Sequence, residues 1–364
     1  MARDLPILRG RGTASNPPNP FLSAHVELDP GEGVGPEGRS ARTRVLEDRT
    51  RSVLSWNTSP DLGFNVSLNP YRGCEHGCAY CYARPTHEYL GFSAGLDFEQ
   101  TILAKPQAPR LLRKALSSPR WVPQTIAMSG GTDPYQPVER RLGITRGCLE
   151  VLSEFRNPVA IITKNRTVIR DLDLLRVLAD VGAVNVAVSV TTLDRELQGR
   201  LEPRTSSPRR RLEAITTLAE AGIPVSVMVA PIIPGLTDHE LPAILEEAAR
   251  AGARGAAFIP LRLPGPVADL FDGWLAAHVP GRREKVLGRV RSLRGGCLDE
   301  RRFGVRMRGE GRWAEQLAQL FRVTASRLGL QGGWPDLSAG AFRVPGSSTQ
   351  LSLFGVPGED FGQD

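Results

Sequence analysis

Val66-Ser67-Leu68-Asn69-Pro70-Tyr71-Arg72-Gly73-Cys74-Glu75-His76-Gly77-Cys78-Ala79-Tyr80-Cys81 runs from a short apolar block into a loop that carries three cysteines. Thiols at a Cys-x3-Cys-x2-Cys spacing can converge on one metal centre, and iron–sulfur clusters are held by Cys thiolates, normally one per iron of a cubane. Three ligands for four irons leave one iron open, and an open coordination position separates a reactive metal site from a structural one. The residues leave alternatives. A structural zinc wants four ligands, often three Cys and one His, and His76 and His87 are both close enough in sequence to be the fourth. A disulfide with one thiol left over is a third reading. Against it, the chain has five Cys, an odd number, and no apolar signal segment at its start, which points to a reducing compartment and a cytoplasmic protein. Of the other two, Cys148 falls in a helical pattern and reads as a small core residue. Cys297 follows Gly295-Gly296 and reads as a loop thiol.

Outward from the loop, short β-branched blocks alternate with helical patterns. Strands are predicted at 66–69, 125–129, 159–163, 184–190, 225–230 and 256–261, and helices at 109–116, 141–156, 168–181, 207–221 and 238–251. Gly182, Gly222 and Gly252 fall where helix C-caps belong. Repeated β-α alternation predicts an α/β fold with a parallel sheet and helices outside it. In parallel α/β barrels ligands sit at the C-terminal ends of the strands, which is where the cysteine loop falls. Residues 263–330 read as a helical extension, either a lid or a packing module. Residues 1–43 read as a disordered or loosely held arm and 331–364 as a flexible tail, both rich in Pro and Gly. The barrel unit is therefore expected over 44–262.

No apolar run reaches the ~20 residues that a bilayer-spanning helix needs. The net charge is +7, and all but four of the 46 Lys and Arg residues are arginine. Arg suits bidentate phosphate contact, so the composition is compatible with a nucleic-acid partner, as it is with a solvated basic surface.

The cysteine spacing, with Tyr80 just before the last Cys, resembles the cluster loop of the radical S-adenosylmethionine (radical SAM) enzymes. The resemblance implies a partial (β/α)6 TIM-type barrel, a [4Fe–4S] cluster held by Cys74, Cys78 and Cys81, and SAM chelated by the open iron. It further implies cleavage of SAM to a 5′-deoxyadenosyl radical after an electron arrives from a flavodoxin- or ferredoxin-type donor. Gly130, Gly131, Thr132 and Asp133 stand where the family has a Gly-Gly-Glu-type turn that meets the SAM amino group. Ser189 stands where a polar residue often bonds the ribose, Arg204 is a candidate partner for the SAM carboxylate with Lys164 as a weaker one, and Ile232 is a candidate wall for adenine. Asn69-Pro70-Tyr71-Arg72-Gly73-Cys74 and Gly131-Thr132-Asp133-Pro134-Tyr135-Gln136-Pro137 look like the group related to spore photoproduct lyase, over about residues 50–300. That lyase uses a hydrogen-donating Cys near the second-strand turn, and Met128-Ser129-Gly130-Gly131 has none. Tyr135 and Cys148 are the candidates for returning a hydrogen atom here.

The expected function is a radical SAM enzyme acting on nucleic acid in the manner of a DNA-repair lyase. The alternatives are modification of a protein, peptide or tRNA, and a non-catalytic iron–sulfur protein associated with DNA. In the tail, Gln350-Leu351-Ser352-Leu353-Phe354 closely resembles the pentapeptide by which bacterial polymerases and repair proteins bind the sliding clamp; a last strand packed on the barrel explains the same residues. Clamp docking predicts that a 345–358 peptide binds the clamp of the same organism. Loss of binding is expected with Leu353→Ala or Phe354→Ala, and no measurable affinity of the parent peptide would remove the idea.

Overall fold

The computed structural model describes residues 9–22, 42–332 and 336–346. Gln350–Phe354 lie outside the described residues. Six parallel strands form the frame: β1 Val66–Leu68, β2 Ile126–Met128, β3 Val159–Thr163, β4 Val184–Ser189, β5 Val225–Ile232 and β6 Gly255–Pro260. They pair in sequence order, β1 with β2 through to β5 with β6. Every residue of β4 is buried, as befits a strand covered on both faces of a parallel sheet. Leu54–Trp56 extends the β1 edge antiparallel, and Gln331–Gly332 extends the β6 edge in parallel.

The helices α1 Ala108–Leu116, α2 Ile144–Phe155, α3 Leu172–Ala179, α4 Pro208–Glu220 and α5 Leu241–Arg250 lie between successive strands and bury apolar faces against the sheet. Gly182, Gly222 and Gly252 follow α3, α4 and α5 with positive φ, as the sequence predicts. The predicted helix at 141–156 is broken at Gly143, where φ is +64°, so α2 starts at Ile144.

Three regions differ from expectation. The extension divides in two. Helices α6 Val267–His278 and α7 Arg283–Leu293 share an apolar cluster with Ala79, Tyr80 and Leu201, so they cover the cysteine loop. Helix α8 Arg312–Arg327 returns to pack on α5 and serves as the outer helix after β6. Arg294, fully buried, donates to the carbonyls of Leu261 (2.9 Å), Val305 (3.0 Å) and Arg306 (2.8 Å) and ties the extension to the end of β6. Arg306 in turn meets Asp61 at 2.5 Å, which bridges the open side of the sheet ahead of β1.

The loose-arm reading does not describe residues 9–22. Arg11, Thr13 and Asn19 are buried against the segment 88–99 that follows the cysteine loop. The tail is also held over 336–346, where the Ser338 amide donates to Gly182 O and the Arg343 amide to Phe155 O, both at 2.9 Å. Pro- and Gly-rich composition concealed both segments because their hydrogen bonds go to distant backbone rather than into helices or strands of their own.

Candidate active site around the cysteine loop

The cysteine loop leaves the C-terminal end of β1 and is tied to the ends of the next three strands. Thr132, after β2, donates to Gly73 O at 2.8 Å. Asp133 sits 3.3 Å from His76 Nδ1, and Asn165, after β3, meets His76 Nε2 at 3.1 Å. The Tyr80 hydroxyl lies 3.3 Å from that of Thr191, after β4, and donates to Glu202. From below, the fully buried Arg84 holds the Cys78 carbonyl at 2.7 and 3.1 Å and pairs with Glu99 at 2.6 Å. Gly77 turns with φ +64°, and a Cβ there would stand 2.6 Å from the Glu99 carboxylate, so the loop closes onto that carboxylate only with glycine.

Cys74 and Cys78 are buried and Cys81 nearly so. Burial pushes the Cys81 thiol up to about 11, and raises the Cys78 thiol well above its ordinary range. Cys78 feels the charge of Cys81 and Cys74, and Cys81 that of Cys74. A structural zinc site wants a fourth ligand beside three Cys, whereas a cubane with one open iron takes three thiolates. His76 is no free fourth ligand, because both ring nitrogens are engaged. Burial pulls its imidazolium down, but Asp133 and Cys74 outweigh burial and hold it up at about 10. Burial pushes His87 down to about 4, packed between Phe92 and Phe98. The donor set therefore fits a cluster with three protein ligands.

The residues expected to hold SAM divide into two groups. At Gly130 φ is +113°, a Cβ would meet nothing within 4 Å, and the carbonyl accepts from the Tyr82 hydroxyl at 2.7 Å. The Gly131 amide is held by Asn69 Oδ1 at 3.1 Å. Thr132 and Asp133, by contrast, brace the cysteine loop. Burial would raise the Asp133 carboxyl, but His76 and the amides of Lys164 and Tyr135 outweigh it and hold it low.

Ser189 is also occupied, accepting from Lys164 Nζ at 2.8 Å and donating to Ala230 O at 3.0 Å. Lys164 reaches Glu202 at 3.1 Å besides. Arg204 pairs with Glu75 at 3.4 Å on the outer edge of the loop. Ile232 belongs to the main core, and its neighbour Ile233 is the one that packs with Cys78, Ala79 and Tyr80.

Neither candidate for hydrogen return reaches this site. Tyr135 is fully buried and donates to Asp171 at 3.1 Å. Cys148 is fully buried in α2 within the main core, as its helical pattern indicates. The exposed phenol beside the loop is Tyr82, which sequence reasoning passed over; its signal was an aromatic residue directly after the last Cys.

Glu202 is the other residue passed over. It is fully buried between Lys164, Arg211, Thr191 and Tyr80. Burial would raise its carboxyl, but Arg211 and Lys164 outweigh burial and hold it well below the ordinary carboxylate range. Its folded pKa lies below the unfolded one. The stabilisation is therefore complete above the ordinary range, about 4.3, and is lost as pH falls toward the depressed folded value. Glu202→Gln is expected to cost about 3–5 kcal/mol at neutral pH by leaving two cations short of a partner. It should also flatten the acid limb of a melting-temperature profile between neutral and acid pH. An acid limb as steep as that of the parent would show that Glu202 does not carry this linkage.

Residues 68–248 match the radical SAM superfamily. An uncharacterized protein of Mycobacterium tuberculosis is 40% identical over 234 residues, covering 64% of this chain and 68% of the relative. One of Methanocaldococcus jannaschii is 29% identical over 201 residues, covering 55% and 72%. Among solved structures, spore photoproduct lyase complexed with dinucleoside spore photoproduct superposes with a TM-score of 0.57 at 17% identity, covering 80% of this chain and 82% of that one. A double mutant of that lyase with bound AdoMet and the same dinucleoside gives 0.53 at 19% identity, covering 80% and 81%. With its three-thiol loop set at the strand ends of this frame, the chain belongs to the radical SAM superfamily, whose enzymes work with a [4Fe–4S] cluster and S-adenosylmethionine.

Proposed function

We propose that this enzyme acts on DNA. The observation that carries the reading is charge: a net +7 built almost wholly from arginine, the side chain that matches phosphate in a planar fork. The frame is shared with a lyase solved with dinucleoside spore photoproduct, which supports a nucleotide at the same mouth. Among the described residues no helix is long and apolar enough to cross a membrane.

Cys74, Cys78 and Cys81 would hold the cluster, and the Gly130–Gly131 turn would help to hold SAM. When bound and given one electron by an external donor, these groups would supply the radical chemistry that removes a hydrogen atom from the substrate. Asp133, Asn165 and Glu202 fix the loop from three sides, so its thiols are positioned before any substrate arrives. Helices α6 and α7 keep water from the apolar side of the loop. Tyr82 takes the place of Tyr135 and Cys148 as the candidate for returning a hydrogen atom.

The test is anaerobic reconstitution with iron and sulfide, reduction with SAM present, and measurement of 5′-deoxyadenosine with and without ultraviolet-damaged DNA. DNA-dependent 5′-deoxyadenosine and repaired product are expected, with Tyr82→Phe lowering product more than 5′-deoxyadenosine. Formation of 5′-deoxyadenosine that no DNA stimulates, and that a protein or tRNA fraction does, would overturn the assignment.

A further inference from the structure

Beside the cysteine loop lies a cleft of about 220 Å³ lined by Arg140, Arg166, Arg170 and Arg210 together with Thr167, Ile169 and Ser206. No carboxylate lines it. Like charges around one small space repel one another unless anions sit beside or among them.

Two of the four are set in place. Arg170 is held from behind by Glu139 at 2.7 Å and Asp171 at 2.8 Å, and Arg140 donates to Thr167 at 3.3 Å. Arg166 has only a loose contact with Glu213 at 3.8 Å, and Arg210 has no ion-pair partner among the described residues. This pair of exposed forks is therefore available to a ligand.

A second cleft, of about 450 Å³, is mixed in charge: Asp194, Glu196 and Glu240 line it with Arg200, Arg282 and His239. The arginine cleft is also smaller than the roughly 300–1,000 Å³ of sites that enclose whole small molecules, so it suits a charged group on a larger ligand.

Its position fits a strand that crosses the mouth. Ser206, in its wall, bonds Asn165 Oδ1 at 3.3 Å, and the amide of Asn165 meets His76 between the first two cluster cysteines. One side chain therefore separates the cleft from the cysteine loop.

We propose that this cleft holds a backbone phosphodiester of the nucleic-acid substrate and so sets which neighbouring nucleotide lies at the mouth. The proposal rests on the nucleic-acid reading above. Phosphate contacts fix register and carry no sequence information, so the site would position the strand without selecting a sequence.

The test uses the full-length holoprotein and fluorescence anisotropy over a salt series, with a short single-stranded DNA, the matching RNA and polyglutamate as separate probes. Arg166→Gln with Arg210→Gln removes the neutralisation of that one phosphate. The slope of log affinity against log salt should become shallower by about 0.7, which corresponds to roughly 5-fold weaker DNA binding at about 0.1 M salt. Arg166→Lys with Arg210→Lys should keep most of the slope, and Arg140→Gln alone should lower it by less than the double Gln variant. Melting temperatures matching the parent are expected at these exposed positions.

DNA binding that none of these variants alters would overturn the cleft and leave the nucleic-acid reading standing. No binding of DNA or RNA by the parent would overturn both. Polyglutamate bound as tightly as DNA, with the same loss in the Gln variants, would reassign the cleft to an acidic protein. RNA bound in preference to DNA would keep the phosphodiester site and move the substrate to RNA.

Discussion

Replacement of Cys78 by Ser is expected to abolish 5′-deoxyadenosine formation, by more than the ~10–100-fold that loss of an outer partner of a metal ligand costs. The thiol stands between the other two ligands, and its own carbonyl is gripped twice by Arg84. The backbone of the loop is thus fixed independently of the sulfur. The variant should fold with a melting profile near that of the apo parent while holding little iron or sulfide. Cys297→Ala is the control, an exposed thiol that the mechanism does not use, and it should keep full iron content and turnover. Cys78→Ser that keeps both iron and turnover would remove the loop as the cluster ligand. A parent protein purified without oxygen that carries stoichiometric zinc there would do the same.

The parallel frame and the place of the cysteine loop were legible because each rests on local pattern. The strands are β-branched blocks, the helices end at glycine, and three thiols share one turn. What supports the loop was hidden because it is assembled from distant sequence. Glu99 meets Gly12 and Thr13, and Glu202 meets Lys164, with no periodicity to announce either contact. The internal partners of the expected cofactor residues were hidden in the same way. Ser189, Thr132 and Arg204 stand where a cofactor contact belongs in sequence, yet Lys164, Gly73 and Glu75 already engage them. A polar residue at a strand end is a statement about position, and only its neighbours show whether its donors remain open. Tyr135 fails for a related reason, since its hydroxyl is directed to Asp171 within the protein.

The second large effect is expected at Glu99, 18 residues beyond Cys81 in the chain and directly beneath the loop in space. Its carboxylate accepts from Arg84, the Gly12 amide (3.0 Å) and the Thr13 hydroxyl (2.9 Å), and neither Glu99 nor Arg84 has any exposed side-chain surface. Glu99→Gln leaves a buried guanidinium without its counter-charge, which costs about 3–5 kcal/mol. The carbonyls of Cys78, Ala94 and Gly95 still receive Arg84, so the loss should fall short of unfolding. Chemical denaturation of the apo protein measures the stability term, and the rate of iron loss to a chelator measures the hold on the loop. Both are expected to worsen together. Gly12→Ala separates the arm from the ion pair. A Cβ at Gly12 would fall 1.7 Å from Gly77 O, a backbone atom that cannot turn aside, so residues 9–17 must lift away while Arg84 and Glu99 stay paired. Faster iron loss in Gly12→Ala, with a smaller stability change than in Glu99→Gln, would show that the N-terminal segment is a working wall of the cluster site. Iron retention equal to the parent in both variants would show that the loop is held from the strand ends alone, through Thr132, Asp133 and Asn165.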